Sequence, residues 1–216
     1  NKLFLGTNQG LYFAPIQNKT VKNVKLDEFL FVEGSQGQVW DLKVFVNQLI
    51  CGHNKGTFTF ENEKLNVLSK DTGGFCIKKF TENLLLQSTY TYLTLFNKVT
   101  GGKWKFSNRI SDFNEPLKYV EVDFRGNIWV SHNGKGIYKL EVNDSLNTVL
   151  SWEYFGKDEG LTIESKTHAF KLDNRIVFTS GAGIFTYDDL KDSVIRYDEL
   201  NSQLGVFQNA ERIVET

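Results

Sequence analysis

One motif, repeated along the chain, restricts the fold more than any other feature. A short apolar strand, one or two small polar residues, a glycine and an aromatic-bearing strand recur in that order. The copies are LFLGTNQGLYFA (3–14), LICGHNKGTFTF (49–60), IWVSHNGKGIYKL (128–140) and IVFTSGAGIFTY (176–187). A fifth, LLLQSTYTYLTLF (84–96), has lost its glycine. Anchored on Gly10, Gly56, Thr91, Gly136 and Gly183, the copies stand 46, 35, 45 and 47 residues apart. A period of about 43 residues means one supersecondary unit used repeatedly, with each unit burying its apolar face against the next.

Each unit reads as a β-meander. The glycines supply the positive φ of tight hairpins, so Gly10, Gly56, Gly136 and Gly183 are expected in that conformation; substitution at Gly101 or Gly102, outside the repeat position, is expected to be milder. Upstream of each hairpin lies another strand, QVWDLKVF (38–45), GFCIKKF (74–80), LKYVEVDF (117–124) and KTHAFKLD (166–173), joined through short polar turns. Downstream lies a fourth, KLNVLSK (64–70), KWKFS (103–107), VLSWEYF (149–155) and VIRYDEL (194–200). Four strands per unit predict β-propeller blades. The units run 1–37, 38–73, 74–116, 117–165 and 166–209, and 210–216 reads as a further first strand. The expected class is all-β, with about five four-stranded antiparallel blades. Such rings usually carry more blades, and the chain opens on Asn1 without a methionine anywhere; the expectation is a piece of a larger, seven-bladed-type ring. Only DELNSQLG (198–205) reads as helix, one or two turns ending at Gly205.

Composition agrees. Aromatic and β-branched residues make up about a third of the chain, whereas alanine occurs only at positions 14, 169, 182 and 210. Basic and acidic residues balance at 25 and 26, and no basic block suggests a nucleic-acid surface. The longest apolar runs are far too short to span a bilayer. The core is expected to hold Leu5, Trp40, Ile50, Leu85, Trp129, Val130, Ile176 and Phe178. Trp40 and Trp129 should pack between blades, while Trp104 and Trp152, on outer strands, are candidates for an exposed partner surface. Cys51 and Cys76 read as two buried free thiols.

Candidate chemistry is sparse. His53 and His132 occupy equivalent turn positions, where Thr7 and Ser180 stand in other copies, so they read as turn-capping residues rather than ligands. No third His or Cys joins them, and no metal site or cofactor is expected. Asp112, Asp123, Asp158 and Glu159 invite a paired-carboxylate, glycosidase-like reading. However, Asp123 opens the turn DFRGN, and Asp158 and Glu159 lie in the link KDEG, which are places for turn-forming carboxylates. No nucleophile elbow, phosphate loop, HExxH or CxxC is present; NGKG (133–136) is too short for a phosphate loop and joins two strands. NKT (18–20) and NDS (143–145) match the glycosylation tripeptide, which arises readily by chance. No catalytic residue is expected, and the ligand-binding residues stay unassigned.

The stretch DFRGNIWVSHNGKGIYKLEV (123–142) resembles the repeat of two-component regulator propellers, with Asp123, Gly126, Asn127, Trp129, Gly134, Gly136 and Tyr138 matching its Asp-x-x-Gly-Asn turn, Trp strand and glycine turn. WEYFGKDEGL (152–161) is similar to that family's inter-blade link, and 180–205 to the late blades of Bacteroidetes-type membrane regulators. The resemblance is strong over 117–205, weaker over 1–70 and poor over 71–116. It implies a periplasmic, non-catalytic sensor or scaffold propeller that forms a homodimer or otherwise self-associates. In such regulators a triple-tyrosine β-sandwich, a membrane helix and a histidine kinase or helix-turn-helix output follow, and the implied stimulus is carbohydrate-related. The rival readings are a propeller glycosidase or lyase and a generic protein-interaction propeller.

Overall fold

The computed structural model describes residues 1–16, 23–132, 134–161 and 167–209. Nineteen strands lie in five antiparallel sheets, each ordered as the chain runs. The first holds β1 (Lys2–Gly6), β2 (Leu11–Pro15) and β3 (Leu30–Phe31). The second holds β4 (Val39–Phe45), β5 (Gln48–His53), β6 (Gly56–Glu61) and β7 (Lys64–Ser69). The third holds β8 (Cys76–Thr81), β9 (Leu84–Ser88), β10 (Leu93–Lys98) and β11 (Trp104–Ile110). The fourth holds β12 (Leu117–Val122), β13 (Ile128–His132), β14 (Ile137–Val142) and β15 (Val149–Phe155). The fifth holds β16 (His168–Leu172), β17 (Arg175–Ser180), β18 (Gly183–Asp188) and β19 (Ser193–Arg196). The first sheet therefore has three described strands rather than four. The strand expected at 210–216, like the tripeptide at 18–20, lies outside the described residues.

The turns follow from local chemistry. At Val46–Asn47, Asn62–Glu63 and Asp173–Asn174 both residues have positive φ, between 47° and 63°, as in the two-residue hairpins whose twist matches that of the strands. Gly10, Gly56 and Gly183 have φ of +148°, +146° and +120°, as the repeat predicts. Gly136 does not. It is glycine because a Cβ there would stand 1.9 Å from the Phe155 carbonyl oxygen on the neighbouring strand. Gly101 and Gly102, expected to be the permissive controls, are themselves left-handed at +84° and +76°.

Apolar side chains fill the spaces between consecutive sheets. Leu11, Phe13 and Val32 of the first pack on Leu49 and Cys51 of the second; Ile50 meets Ile77, Leu85, Phe96 and Trp104 of the third. Leu86, Leu93 and Leu95 join Val120, Ile128 and Val130 of the fourth. Trp129 is fully buried among Phe155, Phe178 and Tyr187, with ring centroids 5.7, 5.3 and 4.8 Å away. Six of the eight expected core residues are buried. Leu5 and Trp40 are the exceptions, at 38% and 36% exposed: Leu5 lies on the face of the first sheet turned away from the second, and Trp40, on an innermost strand, lines a cleft with one side of its ring against Phe75 of the next sheet. Trp104, expected outside, is 4% exposed, because its place at the start of β11 tucks the ring beneath Phe45 of the preceding sheet.

Helix α1 (Asp198–Leu204) ends at Gly205, φ 53°, as its sequence predicts. It brings Leu200 and Leu204 onto Phe170, Val177 and Ile184 of the fifth sheet. Asn201 holds it there, its Oδ1 accepting the Ile184 N–H at 2.8 Å and its Nδ2 donating to the Ile184 carbonyl at 2.7 Å.

Candidate functional site

The first strands of the four-stranded sheets, β4, β8, β12 and β16, lie side by side. They are not hydrogen-bonded to one another as a sheet, so their inward edges carry backbone groups that need other partners. Side chains supply them. The Asp41 carboxylate accepts the Ile77 N–H at 2.9 Å while Lys43 Nζ donates to the Ile77 carbonyl. Ser88 Oγ donates to the Lys118 carbonyl at 2.9 Å, Ser131 Oγ accepts the Ala169 N–H at 2.8 Å, and Lys171 Nζ donates to the Val122 carbonyl at 3.2 Å. These contacts stitch adjacent inner strands together around a cleft of about 600 Å³.

Two kinds of surface line that cleft. One is aromatic: Trp40, Phe75, Tyr119 and Phe170. The other is charged: Lys43, Lys78, Lys118 and Lys171 with Asp41, Glu121 and Asp173. Lys43 stands 3.3 Å from Asp41, and Lys78 forms an ion pair with Glu121 across the seam between β8 and β12. Burial is the largest single influence on the Lys78 ammonium and works against it, but the charge and hydrogen bond of Glu121, with smaller help from Cys76 and Asp41, together hold its pKa above the ordinary lysine value. The Cys76 thiol at the cleft wall is pushed up by burial, and Cys51, in the core, is pushed up to about 12 for the same reason. Both are free, buried and held as thiols, and thus poor nucleophiles.

The carboxylates that invited a catalytic reading lie elsewhere and are engaged in turns. Asp123 Oδ1 accepts the N–H groups of Arg125 and Asn127, each at 2.9 Å, and its Oδ2 accepts Asn127 Nδ2 and Trp129 Nε1 at the same distance. Glu159 Oε2 accepts the Gly156 N–H at 2.6 Å in the 3-10 turn that also contains Asp158. Asp112 has φ 65° and accepts from Ser111 Oγ. No pair of them converges on a common space.

His53 caps its turn, whereas the His132 ring pairs with Glu115 and its buried Nδ1 has no partner among the described residues, against the turn-capping expectation. His53 Nδ1 accepts the Lys55 N–H at 3.0 Å, leaving Nε2–H to donate to the Ser35 carbonyl at 3.1 Å. His132 Nε2 lies 3.1 Å from Glu115 Oε2, and Lys135 approaches the same carboxylate at 3.5 Å. Burial lowers the pKa of both histidines, with smaller contributions from Lys55 and Lys135. Among the described residues no group of three or more His, Cys, Asp or Glu side chains is placed to hold a metal ion. The cleft residues themselves were missed in sequence; the available signal was the charged alternation DLK (41–43), CIK (76–78) and YVE (119–121) on strands that must otherwise be apolar.

No family model matches the chain, and no curated protein does either. Solved structures do. The WD40 propeller domain of Doa1 aligns over 90% of this chain and 64% of its own, at 17% identity and a TM-score of 0.59. The extracellular domain of the putative hybrid two-component system BT3049 from B. thetaiotaomicron aligns over 93% of this chain and 28% of its own, at 15% identity and a TM-score of 0.59. The chain is built of β-propeller blades. That of dihydro-heme d1 dehydrogenase NirN, an enzyme, also matches, over 87% of this chain and 42% of its own at 12% identity and a TM-score of 0.55. The propeller likeness is thus shared by a WD40 domain, the extracellular domain of a putative two-component system and a dehydrogenase, and at these identities it speaks for the fold alone. No described helix is long and apolar enough to cross a membrane.

Proposed function

We propose that the chain is the non-catalytic, extracytoplasmic sensor or scaffold propeller of a signal-transducing regulator, located in the periplasm and responding to carbohydrate-related ligands. The observation that carries this reading is the match, over nine-tenths of the chain, to extracellular domains of two B. thetaiotaomicron regulators. It falls together with the regulator-type repeat at 123–142. The absence of catalysis is supported by the engagement of Asp123 and Glu159 in turns. A rigid arc of blades offers a ligand a fixed cleft, and binding there would bias how this propeller packs against a second copy. In the full-length protein a triple-tyrosine sandwich, a membrane helix and an output domain would carry that change inward.

Two measurements test the reading. The reading frame that encodes the chain is expected to continue into a membrane helix and a kinase or helix-turn-helix module; a frame without them overturns the regulator role. Purified protein incubated with a glycan panel is expected to bind a member without releasing reducing ends. Turnover that survives purification to homogeneity would make it an enzyme instead.

A further inference from the structure

One position recurs at every seam between sheets. It stands one residue before the hairpin turn, and the registers Gly6↔Leu11, Gly52↔Thr57, Ser88↔Leu93, Ser131↔Ile137 and Thr179↔Ile184 make the five copies equivalent. In four copies it touches the chain that enters or forms the innermost strand of the next sheet. Glycine permits close approach at the first two: a Cβ on Gly6 would collide with the Val39 side chain, and one on Gly52 with the Gly74 carbonyl. At the next two a hydroxyl makes the contact, Ser88 Oγ to the Lys118 carbonyl and Ser131 Oγ to the Ala169 N–H. The fifth copy, Thr179, is 2% exposed, yet its Oγ1 has no partner among the described residues. Buried hydroxyls are nearly always hydrogen-bonded. The other copies say with what: main chain of an innermost strand beyond the fifth sheet.

The chain is routed to supply one. After β15, the link through Leu161 packs between the fourth and fifth sheets before β16 begins. After β19, α1 takes the corresponding place, with Leu200 and Leu204 against Val177 and Ile184. The 3-10 turn Gly205–Asn209 that follows packs on β17 and β18. Seven residues, AERIVET (210–216), come next. Extended, they reach about 23 Å, and β4, β8, β12 and β16 have seven, six, six and five residues. In those strands Leu42–Lys43, Ile77–Lys78 and Val120–Glu121 each set an apolar residue on the preceding sheet and a charge on the cleft. Val214–Glu215 repeats that step in sequence.

We propose that residues 210–216 dock as an innermost strand against β16 and β17. There they give Thr179 Oγ1 a main-chain partner, set Val214 on Val177 and add Glu215 to the wall of the cleft. The cleft between β4, β8, β12 and β16 is then completed by a fifth strand, so the segment serves the candidate site as well as the fold. The inference stands on the recurring seam contact and is independent of the sensor reading.

The test is amide hydrogen exchange on the whole chain, read at residues 211–215 with β9 and β10 as internal references. Docking is expected to slow exchange at 211–215 at least about tenfold below that of an unstructured peptide. Thr179→Val keeps the shape and removes the hydroxyl; it is expected to speed exchange at 211–215 roughly fivefold, with β9 and β10 unchanged and Thr179→Ser restoring the protection. Val214→Asp is expected to abolish the protection, and adding Thr179→Val to it should then change nothing further at 211–215. Exchange at the unstructured rate in the wild-type chain would overturn the docking. Protection indifferent to Thr179→Val would put the segment somewhere else and overturn this seat. If Thr179→Val fails to fold, Val214→Asp carries the test: the amides of β17 should then exchange faster together with 211–215, and an unaltered β17 would overturn the proposal.

Discussion

Asp123 shows how one side chain can fix several levels of structure. Its two oxygens accept four hydrogen bonds, three within the turn it opens and one from the indole of Trp129, the most deeply buried large side chain between the fourth and fifth sheets. Removing the acceptor orphans a buried N–H as well as the turn. Asp123→Ala is therefore expected to cost about 2–4 kcal/mol, and Asp123→Asn less, read from urea unfolding midpoints. A cost under about 0.5 kcal/mol for alanine would place the turn's stability elsewhere. His53 makes a second case, through pH. Its Nδ1 is an acceptor in the fold, so protonation removes a bond, and burial already sets its pKa below the ordinary value. The unfolded chain then takes up a proton more readily than the folded one. The stability is complete above the unfolded value of about 6.5 and is lost as pH falls below it. Between about pH 7.5 and about pH 5.5 the wild type should lose more stability than His53→Gln. Parallel losses in the two proteins would remove His53 from the titration.

At the scale of the element, turn chemistry and alternation were legible, and anything set by a neighbouring sheet was not. Most strand bounds, the left-handed Gly10, Gly56 and Gly183 and the helix ending at Gly205 follow from local rules, although the strand expected over 194–200 stops at Arg196 and gives way to helix from Asp198. Trp104 and Trp40 exchanged their expected environments because burial on a blade depends on which element lies across from it. Gly136 belongs with them: its constraint is the Phe155 carbonyl 1.9 Å from where a Cβ would be, a contact between strands separated by a loop of unpredictable course. The consequence separates two kinds of glycine. Gly101 has open space and only a left-handed backbone, so Gly101→Ala should cost about 1 kcal/mol. Gly136→Ala drives a methyl into main chain that cannot rotate away and should cost about 3 kcal/mol, or break the β14–β15 pairing. Thermal midpoints of the two variants check this, and an equal or smaller shift for Gly136→Ala would contradict the clash.

Over the whole molecule, stability is a chain of interfaces between neighbouring sheets, and those interfaces are unequal. The third and fourth sheets share the most extensive cluster, from Cys76 and Leu86 through Leu117, Val130 and Leu140. The Lys78–Glu121 pair and the Ser88 and Ser131 bonds tie their inner strands and the next. The fifth sheet's far face is closed by α1, with Leu200 and Leu204 on Val177 and Ile184. The first sheet has no such cover among the described residues. Leu26, Leu30, Phe31 and Leu5 are 84%, 53%, 36% and 38% exposed on it, and β3 is only two residues long. In a repeat architecture each unit contributes its own stability and that of its interfaces, so a unit with one packed face opens more readily than one with two. Native-state hydrogen exchange of this chain should therefore show β1 and β2 exchanging first, β17 and β18 later, and β9, β10 and β13 last. Asn201→Ala, which unlatches α1 from Ile184, should move the fifth sheet towards the behaviour of the first while leaving β9 and β10 unchanged. Uniform protection across all five sheets, or an Asn201→Ala effect that spreads evenly, would mean that the blades unfold as one cooperative body and that neighbour-by-neighbour packing does not govern this molecule.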